Sequence, residues 1–417
     1  MHITRIKIFV SAYACEPGLG SEIGVGWHWV LEMSKYFDLW VLTRRSNQSS
    51  IESWIAEHTE YAHIHFLYFD LPKWARFWKK GLRGVRLYYN IWQWLADDVV
   101  KRTMIENNIH VFHHLTYGNV LWSVSRYGQK QCFIWGPVGG VETIPGEYSR
   151  FYPEKMRLLE RLRRWVASSL KYNRSFIKRC KNANLILCKT DILRQHIPDR
   201  CRSKAILFTD VAVDEMLAVP IMPPDDPNRD VEFITVGRLD PWRGFDLVIE
   251  AFAEAFKHKE KMRLTILGKG ADYLRLKTLI EQLGLENVVS MPGAVSMERY
   301  REYMNASDVV VNASLKEGAV TVSFDSMALG KPLICIDTTG YTRYFSPEYA
   351  EIIQRRDRAS TIQALAKSMI KLTDASLRYD MGRKAQLAGT RFTWQKRGEE
   401  INAIISKVVE EKIHHGN

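Results

Sequence analysis

Residues 312–332, NASLKEGAVTVSFDSMALGKP, decide how the rest of the chain is read. Asn312-Ala313-Ser314-Leu315 is turn-prone and runs into Glu317-Gly318. A helical pattern then carries Phe324, Met327 and Ala328 until Gly330-Lys331-Pro332 stops it, because glycine followed by proline ends a helix. An apolar strand, Leu333 to Asp337, comes next. A loop thus delivers the Glu317 carboxylate to the mouth of a helix whose first amides lack intrahelical partners, and such amides bind phosphate or diphosphate. On this reading Asp325, eight residues after Glu317, lies about two turns along the helix.

Working outward, strands and helices alternate on both sides of this stretch. Upstream, the strand Val231–Val236 ends in Gly237-Arg238-Leu239-Asp240-Pro241-Trp242-Arg243-Gly244-Phe245, and a helix runs from Asp246 to Phe256. Strands at 264–268, 288–291 and 308–311 alternate with helices at 273–283 and 297–305. Downstream, residues 359–390 read as helical and a terminal helix starts near Phe392. In the first half, the strand Ile6–Tyr13 meets a loop holding Gly18 and Gly20, and a helix follows to about Tyr36. These glycines do not fit GxGxxG spacing, and no acid ends the next strand, Leu39–Thr43, which argues against a dinucleotide cofactor. A strand within 108–119 ends in His113-His114, and the strand Gln131–Trp135 ends in a second glycine loop, Gly136 to Glu142. The Pro/Asp cluster 220–227 is the clearest linker. The expected fold is therefore α/β, two Rossmann-like doubly wound domains facing across a cleft. The expected boundaries are 1–215, a linker 216–230, 231–392, and a C-terminal helix 393–417 that crosses back to the first domain.

EGAVTVSFDSMALGKP, from Glu317, resembles the donor-site signature of retaining nucleotide-sugar glycosyltransferases, family 4 of the GT-B fold. There a Glu, seven residues and a second Glu precede a Gly-x-Pro stop; here the second acid is Asp325, one methylene shorter. Gly237 to Gly244 is similar to the family's GRLxxxKG motif, with Arg243 in place of Lys. The resemblance implies that Arg238 and Arg243 clamp the donor diphosphate in place of a metal, with no further cofactor. Two such cations stabilise the charge that grows on the leaving group. It implies equally that Glu317 binds the donor sugar, that Gly318, Ala319 and Val320 line the donor, and that Asp325 holds the ribose.

The first half is similar more loosely. CEPxxGSExGxGWxW, from Cys15, resembles members that build bacterial surface polysaccharide, and implies a loop with Gly20 toward the diphosphate and Glu22 toward the acceptor. His113 matches the strand-end histidine that faces the transferred sugar; Leu115 stands where the family has a second histidine, and His114 could serve instead. Gly139 and Glu142 read as acceptor-facing. The implied function is retaining transfer from a nucleotide-diphosphate sugar to a saccharide acceptor. The departures at Asp325 and Arg243 leave open a catalytically silent relative that binds nucleotide-sugar or membrane.

Bulk properties set the frame. A chain of 417 residues exceeds one typical core, and 46% hydrophobic with 25% charged content is that of a globular protein. No apolar run reaches membrane-spanning length, and the start MHITRIKIFVSAYA reads as a strand and not as a signal peptide. Six scattered cysteines without CxxC spacing suggest reduced thiols in a cytoplasmic protein.

The net charge of +12 favours anionic partners, and no nucleic-acid module accompanies it. Much of it falls in two segments. LPKWARFWKKGLRGVRLYYNIWQWL, residues 71–95, interleaves Lys73, Arg76, Lys79, Lys80, Arg83 and Arg86 with tryptophans. It reads either as an interfacial contact with an anionic membrane or as a helix packed by its aromatics. Residues 154–183 are helical and basic, with a face either solvated or turned to a membrane or an anionic acceptor such as a lipid diphosphate. A lipid-linked saccharide acceptor at the inner face of the membrane follows as the expectation.

Overall fold

The computed structural model describes residues 5–75, 84–218, 220–221, 229–317 and 320–415. The chain forms two compact units, one of residues 1–141, 168–210 and 394–417, the other of 142–167 and 211–393.

The first unit is built on seven parallel strands: β1 (Lys7–Ser11), β2 (Asp38–Arg44), β3 (His65–Phe69), β4 (Val111–His114), β5 (Cys132–Val138), β6 (Ala183–Cys188) and β7 (Ala205–Leu207). They lie in the order β3-β2-β1-β4-β5-β6-β7. Parallel strands buried on both faces need apolar residues throughout, and β5 is buried along its whole length. Register makes an aromatic row across three strands. Phe9, Phe112 and Phe133 are lateral partners, with ring centroids 6.0 Å and 5.8 Å apart. The terminal helix Trp394–His415 packs in this unit against the helix Ser21–Ser34, where the Trp394 ring stacks on His28 at 4.9 Å.

The second unit has six parallel strands: β8 (Val231–Val236), β9 (Met262–Leu267), β10 (Val289–Gly293), β11 (Val309–Asn312), β12 (Leu333–Asp337) and β13 (Ala350–Gln354). Their order is β10-β9-β8-β11-β12-β13. In both units the order reverses beside the first strand, and strand-end loops at such a point are where open α/β sheets bind ligands.

The boundary reading needs correction in one place. Residues 142–167, placed in the first domain from the sequence, belong to the second unit. The cause is packing: Ile144, Tyr148 and Tyr152 are buried in the second core with Phe245, Val248 and Leu365. Tyr148 Oη pairs with Thr361 Oγ1 at 2.8 Å, and Tyr152 Oη donates to the Pro241 carbonyl at 2.8 Å. The second unit also takes up the chain from Val211, before the linker expected at 216–230, of which residues 219 and 222–228 lie outside the described residues. The basic segment 154–183 is two helices, Glu154–Ser168 and Arg174–Asn182, joined by a 3₁₀ turn. Of the aromatic-basic segment, Arg76, Lys79, Lys80 and Arg83 lie outside the described residues, while Val85–Leu95 is a helix.

Candidate functional site

In the second unit, the loops after β8 and β11 converge. The β8 loop is a 3₁₀ turn, Pro241–Arg243, closed by Gly244 at φ +70°. A Cβ there would stand 2.2 Å from the Ala313 carbonyl, so glycine is what lets the two loops touch. The Leu315 amide donates to the Trp242 carbonyl at 3.0 Å and completes the contact.

This contact brings the Arg243 guanidinium to Glu317 at 2.5 Å, both groups largely buried. Ser314 Oγ donates to the same carboxylate oxygen at 3.3 Å. Burial pushes the Glu317 carboxyl above the usual carboxylate range, opposed by the Arg243 and Arg238 charges and the Ser314 bond. Arg243 packs its guanidinium over the Trp242 ring at 4.7 Å, and its Nε has no partner among the described residues. Arg238 is more exposed and donates to Asp240 at 2.6 Å. Two guanidiniums and two carboxylates thus stand on adjacent strand-end loops, one cation held tightly and one open to solvent.

A layer of polar contacts fixes the β11 loop from beneath. Asn312 Nδ2 donates to Ser323 Oγ at 3.0 Å and to Tyr341 Oη at 3.1 Å, and the Thr339 hydroxyl donates to the Glu317 carbonyl. One set of contacts gave no sequence signal. Glu160, on the helix Glu154–Ser168, is 1% exposed. It accepts from the Ile144 amide at 2.7 Å, from Arg163 at 2.9 Å and from Lys316 at 3.4 Å. Lys316 also lies over the Trp242 ring, 5.3 Å from its centroid, and burial lowers its ammonium to about 8. The only hint in the sequence is an acid set among arginines at 157–164.

The acid pair is less symmetrical than its spacing suggests. The helix begins at Thr321, so Asp325 is about one turn into it and not two. Asp325 is 5% exposed and accepts from Tyr300 Oη at 2.5 Å. Burial raises its carboxyl to about 7 against the pull of that bond. Val320 is the N-cap in extended conformation and provides no side-chain cap. Gly318 and Ala319 lie outside the described residues.

The strand ends of the first unit are of another kind. His113 and His114 follow one another on β4, so their rings point to opposite faces of the sheet. Both are buried. His113 Nε2 donates to the Gly136 carbonyl at 2.7 Å, with the Trp29 ring 6.0 Å away. His114 Nε2 meets Tyr89 Oη at 3.1 Å, and Gln93 links that hydroxyl to Ser11. Desolvation lowers the two imidazoles to about 4 and about 3, so both are neutral. Neither ring is presented at a surface in this structure.

Gly20 is the exposed N-cap of the helix Ser21–Ser34. Glu22, in its first turn, accepts from the Tyr117 amide at 2.7 Å, and burial raises its carboxyl. Gly139 spends its backbone on Gly118 and Val120. Glu142 falls in the second unit, so the four residues read as acceptor-facing are not brought together within one unit.

Two parallel sheets of seven and six strands, each with helices, are the fold of the GT-B class. The fold matches that of Anabaena HepE solved with UDP and glucose, at a TM-score of 0.62 and 15% identity, covering 97% of this chain and all of that one. Residues 224–387, within the second unit, match the family model described as glycosyl transferases group 1. Among curated relatives, an uncharacterized glycosyltransferase of Methanocaldococcus jannaschii is 28% identical over 183 residues, 43% of this chain and 46% of that protein. A candidate colanic acid biosynthesis glycosyltransferase, WcaL of Escherichia coli, is 31% identical over 140 residues, 32% of this chain and 34% of that protein. The matched part spans less than half the length of either relative.

Proposed function

We propose that this chain moves a sugar from a nucleotide-diphosphate donor to a saccharide acceptor with retention of configuration and without a metal. The observation that carries the reading is the Arg243–Glu317 contact with Arg238 beside it, on the two loops where the family motifs fall. Arg238 and Arg243 take the diphosphate. Their charge stabilises the leaving phosphate as the bond from the sugar's anomeric carbon to the phosphate oxygen breaks. Glu317, released from part of its contact with Arg243 by the incoming phosphate, accepts from donor-sugar hydroxyls. The acceptor oxygen attacks the same face, and its proton passes to the departing phosphate oxygen. Asp325 contacts the ribose at the inner end of the site.

On the acceptor side, Glu22 and the loop at Gly20 receive the saccharide. His113, enclosed and neutral, is a positioning residue that fixes the Gly136 carbonyl and the loop to Gly139. The acceptor is lipid-linked, and the chain works at the inner face of the membrane in surface polysaccharide assembly. That placement rests on the basic and aromatic segments, and the E. coli relative's description points the same way. No described helix is long and apolar enough to cross a membrane.

The test is a metal-free thermal-shift screen of UDP-, GDP-, ADP- and dTDP-sugars, beginning with UDP because HepE was solved with it. A ligand of the native state raises the melting temperature by mass action. One nucleotide series should shift the wild type and not Arg238→Ala. A shift that survives in Arg238→Ala, or no shift with any series, refutes the donor reading.

A further inference from the structure

The helix Glu154–Ser168 is amphipathic the wrong way round for a globular surface. Its buried side chain is a carboxylate, Glu160. Its exposed apolar side chains are Leu158 at 64%, Leu159 at 48%, Leu162 at 54% and Trp165 at 68%. Leu158, Leu162 and Trp165 follow i, i+4, i+7 spacing, so they form one stripe along the side opposite Glu160. An apolar helix face normally turns inward, and a contiguous exposed one marks an interaction surface.

The chemistry of the rim says what covers it. The helix carries five basic residues, Lys155, Arg157, Arg161, Arg163 and Arg164, against two acids, one of them the buried Glu160. By helical angle Lys155 lies within the apolar stripe and Arg161 borders it. A stripe of leucines with a tryptophan, flanked by cations, is the composition of a helix that lies in the headgroup region of an anionic bilayer. A protein partner would be expected to answer the cations with acids in place; a bilayer with anionic headgroups answers leucine, tryptophan and cation at once. We infer that the Leu158–Leu162–Trp165 face docks on an anionic membrane surface.

The inward face adds a consequence. Glu160 holds Lys316, the residue before Glu317, so the docking helix is tied by one ion pair to the donor loop of its own unit. The inference rests on the proposed membrane-side acceptor only for its purpose; its geometry stands without it.

The experiment floats the full chain with vesicles of phosphatidylglycerol and phosphatidylethanolamine, and separately with phosphatidylcholine alone. Wild type should partition to the anionic vesicles. Leu158→Ser/Leu162→Ser/Trp165→Ser should lose at least about tenfold, since each buried apolar side chain counts strongly. Lys155→Glu/Arg161→Glu should lose about fivefold or more per residue, and raised salt should act in the same direction. These side chains are exposed, so the variants should keep the wild-type melting temperature, which separates lost docking from lost folding. Equal flotation of the triple variant, or equal uptake by neutral vesicles, overturns the inference. So does a dimer by sedimentation equilibrium that the triple variant converts to monomer, because the stripe would then cover a second copy. No sugar is transferred in this assay, so its failure leaves the donor reading intact, and the nucleotide screen tests that reading alone.

Discussion

The two sets of strand ends solve opposite problems. In the second unit the loops after β8 and β11 gather charge: Arg238, Arg243, Glu317 and, behind them, Lys316 and Glu160. In the first unit the end of β4 is neutral, with two imidazoles discharged by burial and satisfied by a carbonyl and a tyrosine. Charge near a partly dry surface is costly unless a ligand or partner meets it. On the proposed donor reading, the second unit accepts that cost for an anionic ligand. The first spends its polar groups on holding loops in shape.

The sharpest way to break this contrast is at Glu317. Glu317→Ala leaves Arg243 without its partner and the donor sugar without a carboxylate; kcat/KM for transfer should fall on the order of 10²–10³-fold, as for loss of a preorganised catalytic contact. Steady-state transfer from the donor found by thermal shift measures it. An equal loss in His113→Gln would mean that the neutral strand end also acts on the reacting atoms, and the contrast would fail.

Acid sharpens it next. The imidazoles at 113 and 114 have folded values below the ordinary histidine range, so as pH drops the unfolded chain takes up protons first. Stability is held above about 6.5 and lost from there down toward about 4, by up to roughly 3 kcal/mol for each site. Denaturant titrations across that window should show the loss, and His114→Gln should reduce it.

Asp325 gives the opposite sign. Its folded value near 7 lies above the unfolded one, so its contribution is fully present below about 4 and is lost as pH rises through 7. Asp325→Asn, which can still accept from Tyr300, should flatten stability between pH 4 and 7 and match or exceed wild type at pH 8. A variant less stable than wild type at pH 8 would show that the ionised carboxylate is supported by contacts beyond Tyr300.

Much of this frame was legible because it is local. Val231–Val236 and Leu333–Asp337 read as strands from their apolar runs and match residue for residue, and the Gly330-Lys331-Pro332 stop falls where the helix ends. Arg238, Arg243 and Glu317 were legible as a set because motif spacing ties them to strand ends. What escaped is long-range. Nothing in Ile144, Tyr148 or Tyr152 announces that they pack against residues a hundred positions away. The depth of Asp325 depends on where the helix starts and on Tyr300, neither of which the acid spacing encodes. The 154–183 segment was readable as basic, but basic content alone does not say which face looks inward. Glu160 settled that, through partners at 144 and 316.

The Glu160–Lys316 contact also sets a rule for anyone who rebuilds this protein. Changing donor preference by grafting residues 312–332 from a relative would import a foreign residue at 316 and leave Glu160 enclosed with Arg163 and one amide for company. The exchangeable cassette is therefore discontinuous: the loop travels with the helix Glu154–Ser168, or a matched pair must be designed at 160 and 316.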